Sequence, residues 1–188
     1  MGIVGLVLLG LLVLIGFWVF GVYNGLVAMR QRCKQSFADI DVQLKQRQDL
    51  VPNLVETVKG YAAHERETLE NVTKWRNAAA GAGSPADKAA AEGQLTTALR
   101  QLMVVAEAYP DLKANQGFQQ LQAQLADLES KIAAARRFFN NSAAEYNASR
   151  ESVPAVLFAN NFGFGPQEFF NLDDAERKAA SVAPQVKF

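Results

Sequence analysis

The chain has 188 residues, with 19 basic and 19 acidic side chains, one histidine and one cysteine. Its balanced charge offers no electrostatic draw for nucleic acid or for an acidic partner. A single cysteine excludes an intrachain disulfide framework and is compatible with a reducing compartment, and a single histidine excludes multi-histidine metal sites.

The first twenty-nine residues carry no charged side chain, and from Ile3 to Val22 every residue is apolar or Gly. About twenty residues at 1.5 Å rise span roughly 30 Å, the hydrocarbon thickness of a bilayer. A cleaved signal peptide would place Lys or Arg ahead of a shorter apolar core and end on an A-x-A pattern. Neither is present, since the exit reads Phe20-Gly21-Val22-Tyr23-Asn24-Gly25. A core helix of a soluble fold would show a polar stripe, and none is visible. A retained transmembrane anchor is therefore expected, with Ile3, Leu8, Leu12, Ile15, Trp18 and Val22 facing lipid. Trp18 and Tyr23 lie toward one end of it, as aromatic belts do. Arg30, Arg32 and Lys34 follow at once and set the topology: by the positive-inside tendency the bulk of the chain is cytoplasmic and a short N-terminal stub lies outside. Cys33 is read as an ordinary small apolar helix residue, with palmitoylation or an intermolecular disulfide as the alternative.

Beyond the anchor the composition is rich in Ala, Leu, Gln, Glu and Lys, all strong helix formers, and strand-like alternation is absent. The fold class is all-α: an N-terminal transmembrane helix continuing into an elongated antiparallel bundle of three to four long helices. The anchor takes residues 1–25, the helical body 26–172 and a flexible tail 173–188. Nothing between Leu26 and Leu50 breaks helix, so the anchor is expected to run straight into the body. Cys33, Phe37, Ile40, Leu44, Arg47, Val51, Leu54, Val58, Tyr61, Glu65, Thr68, Val72 and Trp75 follow four-three spacing, the seam of a bundle or coiled coil. Pro52 interrupts that seam and predicts a kink or break near Gln48 to Val51, with Asp49 capping a new start.

Ala78 to Gly83 reads as a turn, and Ser84-Pro85-Ala86-Asp87 as the cap and first turn of the next helix. That helix carries Leu95, Leu99, Leu102, Ala106 and Tyr109 at four-three spacing and ends at Pro110. After a loop from Pro110 to Ala114, Asn115 caps a third helix with the stripe Phe118, Leu121, Leu125, Leu128, Ile132, Ala135, Phe139, Ser142 and Tyr146. Pro154 stops it. The segment from Ala155 to Phe170 is aromatic, broken by Gly163, Gly165 and Pro166, and is expected to wrap across the bundle end.

Reaction chemistry is not legible. His64-Glu65-Arg66-Glu67 lacks the second histidine of a zincin helix, so His64 reads as a surface helix residue. Gly81, Gly83 and Gly93 lack the strand and the Lys of a phosphate loop. Asp39 and Asp41 read as solvated charge, and Asp173 with Asp174 as a cap for a short terminal helix. No catalytic, cofactor or metal site is assigned. Arg47 occupies a seam slot, where it must snorkel or find an acid; Glu129 and Asp127 are the candidates, and a splayed helix end near Pro52 is the alternative.

Several strings resemble the bacterial LemA family. They are Tyr23-Asn24-Gly25-Leu26-Val27, Ile40-Asp41-Val42-Gln43-Leu44, Arg47, and the run from Asp49-Leu50-Val51-Pro52-Asn53 to Gly60-Tyr61-Ala62. Ala108-Tyr109-Pro110-Asp111-Leu112-Lys113-Ala114-Asn115, Ala135-Arg136-Arg137-Phe138-Phe139-Asn140 and Tyr146-Asn147 match as well. The likeness covers about Gly21 to Phe170. It departs at Phe139, where the family usually has Tyr, which loses a hydroxyl and keeps the ring. The resemblance implies a single-pass inner-membrane protein with a cytoplasmic bundle of long helices, and it supplies no active site. One branch of that family is associated with magnetosome membranes, which implies membrane organisation.

The function expected is a non-enzymatic membrane scaffold that self-associates laterally. Residues 33–44 should lack an intrachain cover, which makes Phe37, Ile40 and Leu44, with Phe158, Phe162 and Phe164, the candidate subunit contacts. The expected partners are the lipid bilayer, further copies of the chain, and a possible membrane-protein partner. The alternative is an adaptor that recruits or regulates a membrane protease or transporter. An enzyme would need a pocket with perturbed acids, and a transporter would need polar positions on the span.

Overall fold

In the computed structural model the described residues are 2–83 and 85–170, and they form five α-helices, one short 3-10 turn and no strand. The Ser84 cap, the Asp173–Asp174 cap and the tail 173–188 lie outside the described residues. Helix α1 (Gly2–Lys59) is 58 residues long. At 1.5 Å per residue it measures about 87 Å. It begins as the apolar span and continues into the body without interruption, as the absence of breakers before Leu50 predicts.

The break expected at Pro52 does not occur. Pro52 has no N–H to give to the carbonyl of Gln48 one turn back. Arg76 donates its Nε–H to that same oxygen at 3.2 Å, so the carbonyl keeps a partner and the helix persists to Lys59. Asp49 is no cap; it accepts from Lys45 Nζ at 2.7 Å, one turn away on the same helix. Instead the chain turns after Lys59. Tyr61 and Ala62 both donate to Val58 O, at 3.0 and 2.8 Å, and Ala62 becomes buried. The seam drawn through Tyr61, Glu65 and Thr68 is thus cut, and α2 (Arg66–Gly81) resumes with Leu69, Val72 and Ala79 buried. His64 is exposed in this turn, not on a helix.

Helix α2 continues through Ala78 to Gly81, so the turn before α3 (Pro85–Glu107) is shorter than the sequence suggests. The expected loop after Pro110 is a single helical turn, α4 (Pro110–Ala114), with Pro in its first turn where a missing N–H does no harm. Helix α5 (Gln116–Glu151) begins as predicted: Phe118 N–H donates to Asn115 Oδ1 at 3.0 Å, capping the helix. Asn115 also donates through Nδ2 to Tyr61 Oη at 2.9 Å.

The chain divides into two compact units, each with its own apolar cluster. Among the described residues one unit is 2–38 with 137–168, and the other is 39–136 with 169–170. The second unit holds the larger core. There Val51, Leu54 and Val58 of α1 meet Leu69 and Val72 of α2, Leu95, Leu99 and Leu102 of α3, and Phe118 and Leu125 of α5. Each such side chain contributes about 1.5–3 kcal/mol by leaving water. In the first unit Leu26 and Cys33 of α1 pack with Tyr146 of α5 and with Ala155, Ala159 and Phe164 beyond it.

Candidate functional site

Two constellations stand out, one in each unit. In the first unit the span itself is bare. Ile3, Leu8, Leu12, Ile15 and Trp18 are exposed along α1, and none of the most apolar window is covered by the chain. Val22 differs: it is half-buried against the apolar cluster that follows the span.

That cluster is an aromatic collar around the start of the body. Tyr23 meets Phe162 and Phe164 edge-on, at 5.6 and 5.2 Å between ring centroids, and Phe162 meets Phe158 at 5.9 Å. Edge-to-face rings gain from their quadrupoles as well as from burial. The return of the chain is fixed by backbone geometry at Gly163, whose φ of 73° is left-handed. Phe164 N–H donates to Ala159 O at 2.9 Å and Gly163 N–H to Asn160 O at 3.2 Å. This is the Schellman pairing, and the Phe164–Ala159 contact in the core is its hydrophobic partner.

Helix α5 then pins the returning segment by side chains. Tyr146 Oη donates to Gly165 O at 2.9 Å, and Arg150 Nε to Phe164 O at 2.9 Å. Asn147 both donates to Gln167 O and accepts from Gln167 N–H, at 2.8 and 2.9 Å. Burial pushes the Tyr146 phenol pKa up, so it stays a donor.

The basic residues that follow the apolar run are partly absorbed here. The Arg30 guanidinium lies over the Phe164 ring at 4.9 Å, and Arg32 faces Glu145 at 3.5 Å in the open. Lys34 is exposed. Cys33 is buried and its Sγ–H donates to Ser142 O at 3.2 Å. Burial raises its pKa, which suits the small-residue reading and leaves no accessible thiol for lipid or disulfide.

The expectation that residues 33–44 lack an intrachain cover is corrected. Ile40 and Leu44 are buried within the chain, and Phe37 stacks edge-on with Phe139 at 5.5 Å. Phe164 is fully buried and Phe158 packs on the collar. Of the candidate subunit contacts, only Phe162 presents a large apolar surface, 59% exposed. Phe139 of α5 covers Phe37, and Cys33 packs in the cluster completed by Tyr146 and the Phe-rich return.

The second unit holds a buried charge network. Arg47 is 1% exposed and pairs with Glu92 of α3 and Glu129 of α5. It also donates to Thr96 Oγ1 at 2.8 Å and to Glu92 O at 3.3 Å. Gln48 Nε2 donates to the other oxygen of Glu92 at 2.7 Å. Burial alone would lower the Arg47 pKa, and the two carboxylates more than offset it, so the group is held above its ordinary value. Glu129 was foreseen as a partner. Asp127 bonds Lys131 at 2.7 Å on its own helix instead, and the splayed-end alternative for Arg47 fails because the residue is buried. Glu92 was missed, although counting back from Leu95 in the four-three stripe lands on it.

Asp41, read as solvated, is half-buried and bonds Lys88 at 2.8 Å. Among the described residues no cluster of three or more His, Cys, Asp or Glu side chains is placed to hold a metal ion. An open groove of about 360 Å³ between α3 and α5 reaches Thr96 and Glu129, flanked by Leu99, Arg100 and Met103. The arrangement can lock helices together and hold a membrane span.

Comparison with known proteins agrees with this architecture. The LemA family matches residues 36–188. The magnetosome protein MamQ of Magnetospirillum gryphiswaldense is 27% identical over 193 residues, covering 87% of this chain and 70% of that protein. Magnetosome proteins MamQ 1 and MamQ 2 of Paramagnetospirillum magneticum are each 25% identical over 174 residues, covering 79% of this chain and 64% of theirs. The chain thus spans about two thirds of the length of these relatives. The family match takes in α1 beyond the collar, the buried Arg47 network and the pins of α5, and the chain belongs to the LemA family.

Proposed function

We propose that the chain is a non-enzymatic, membrane-anchored helical scaffold that associates laterally with further copies and organises the membrane holding it. The observation that carries this reading is the bare apolar stretch of α1, covalently continuous with a body in which buried Arg47 and Gln48 both bond Glu92. A helix confined to a bilayer gains effective concentration for lateral contacts. The most apolar window of the span has no cover from its own chain. The MamQ relatives are named as magnetosome proteins, which supports a place at a membrane. The membrane is the bacterial inner membrane, and Arg30, Arg32 and Lys34 favour a cytoplasmic body. Static light scattering of the full chain in detergent tests the reading. A mass that rises in steps with protein-to-detergent ratio supports it; a monomer at every ratio refutes it.

An adaptor is the second reading, favoured by an open groove of about 680 Å³ at the turn between α1 and α2. It mixes apolar Val55 and Leu69 with charged Glu56, Lys59, Arg66 and Glu70, a surface suited to a protein partner. Crosslinking in cells separates the two: self-crosslinks alone favour the scaffold, a stoichiometric foreign chain the adaptor.

A further inference from the structure

The bilayer contact need not end with α1. The segment after α5 is held beside the end of the span: Phe162 and Phe164 touch Tyr23, one residue past Val22, and Phe158 belongs to the same cluster as Val22. At 1.5 Å rise, Tyr23 lies within a few ångströms of the end of the apolar run, inside the interfacial layer between hydrocarbon and water.

The burial pattern of this segment is inverted on one side. Ala155, Ala159 and Phe164 point inward and are buried. Val153 and Leu157 are 79% and 75% exposed, and Val156 and Phe162 also stay uncovered. Four large apolar side chains uncovered within ten residues form the kind of patch that marks an interaction surface. From Ser152 to Gln167 there is no ionisable side chain, so no charge has to leave water, and the exposed Asn160 and Asn161 amides stay at the polar headgroups. The cations nearby are Arg30, Arg32 and Arg150, and Arg150 is turned back onto Phe164 O. Val156, Leu157 and Phe162 donate their N–H groups to Ser152, Pro154 and Phe158 O, and the Schellman turn at Gly163 follows, so the segment is already ordered and little ordering remains to oppose insertion.

We propose that Val153, Val156, Leu157 and Phe162 enter the headgroup–acyl boundary of the bilayer that α1 spans, giving the chain a second, monotopic membrane contact. The occupant is lipid, because Phe162 of the patch meets Tyr23 at the end of the bare span and the patch carries no charge to select a protein partner. The proposal rests on the membrane reading of α1 and is independent of self-association.

The test uses the full chain in nanodiscs of phosphatidylcholine and phosphatidylglycerol, in a Cys33→Ala background. Nitroxide labels are placed singly through Leu157→Cys, Phe162→Cys and Val153→Cys, with Leu12→Cys as the lipid reference and Val104→Cys as the water reference. Val104 is exposed on α3. Collisions with oxygen should exceed those with a water-soluble nickel chelate at 157 and 162 severalfold, as at 12, with the order reversed at 104. Three separate reporters keep the test alive if one variant fails to fold. Nickel access at 157 and 162 equal to that at 104 overturns the proposal. Loss of both collisions with dipolar broadening between labels also overturns it and assigns the patch to a second copy. A monomeric protein with oxygen-rich labels refutes the scaffold and supports the insertion.

Discussion

Replacing Arg47 by Met tests whether the charge network in the second unit is structural. Arg47 is 1% exposed and the side chain of Glu92 is 5% exposed, whereas that of Glu129 is 37% exposed and partly hydrated. Removing the guanidinium leaves Glu92 as an uncompensated buried carboxylate, with Gln48 as its remaining side-chain donor. Breaking a buried pair in this way costs about 3–5 kcal/mol. For a domain of roughly 100 residues, 1 kcal/mol lowers Tm by about 4–8 °C, so the fall should exceed about 10 °C. Glu129→Gln should cost less, about 1 kcal/mol, because water reaches that carboxylate. The double change Arg47→Met with Glu92→Met replaces the buried pair by apolar volume and should recover most of the loss, since such swaps are often neutral. Simple charge reversal between 47 and 129 should not recover it, because a carboxylate at 47 would face Glu92. The assay is helical circular dichroism against temperature in detergent, on the full chain. An Arg47→Met protein melting within about 2 °C of the parent would show that the site is wetter than its burial implies and refute the reasoning.

Three further outcomes are expected. Arg76→Ala should destabilise by about 1–3 kcal/mol by orphaning Gln48 O, and adding Pro52→Ala should restore much of it by supplying the missing N–H; denaturant titration of the double cycle reads the coupling. Gly163→Ala forces a side chain into left-handed backbone and should cost about 1–2 kcal/mol, seen as faster proteolysis after Glu151 with the second unit's melting unchanged. Cys33 should react with maleimide at least about tenfold more slowly in the native chain than after denaturation. Its pKa is raised above the ordinary 9.0, so its contribution to stability is intact below that pH and is lost as pH rises through the folded-state value. Unfolding titrations at pH 8 and above 9 check this, and no alkaline loss specific to the wild type over Cys33→Ala would count against it.

What the sequence revealed was whatever depends on period. The seam from Cys33 to Val58, the α3 stripe and the α5 stripe are the buried faces of their helices, because a residue repeated every three or four positions has one side to offer. The same logic places Arg47 in the interior, and a seam charge demands a partner. Period alone does not say which acid answers it. Glu92 sits on the α3 stripe at a slot where a carboxylate reads as a surface residue, and only the opposing Arg47 makes it a core group.

Local rules failed where a distant side chain overrode them. Pro52 carries every signal of a break, yet the carbonyl it abandons is met by Arg76, 28 residues away in sequence. The real turn comes at Gly60, where the pattern still showed a seam, because Ala62 gains burial only when the chain reverses. The Phe-rich return was visible as composition and not as geometry. Which rings turn inward depends on one left-handed glycine and on three α5 side chains that hold backbone rather than side chains. Tyr146 and Asn147 stood out as a matching dipeptide without a stated role, and in the fold they grip the backbone at Gly165 and Gln167. That division, Phe164 in and Phe162 out, cannot be read from two phenylalanines separated by a glycine. It follows from the Schellman turn, which places its last residue in the core and leaves the residue before Gly163 facing away.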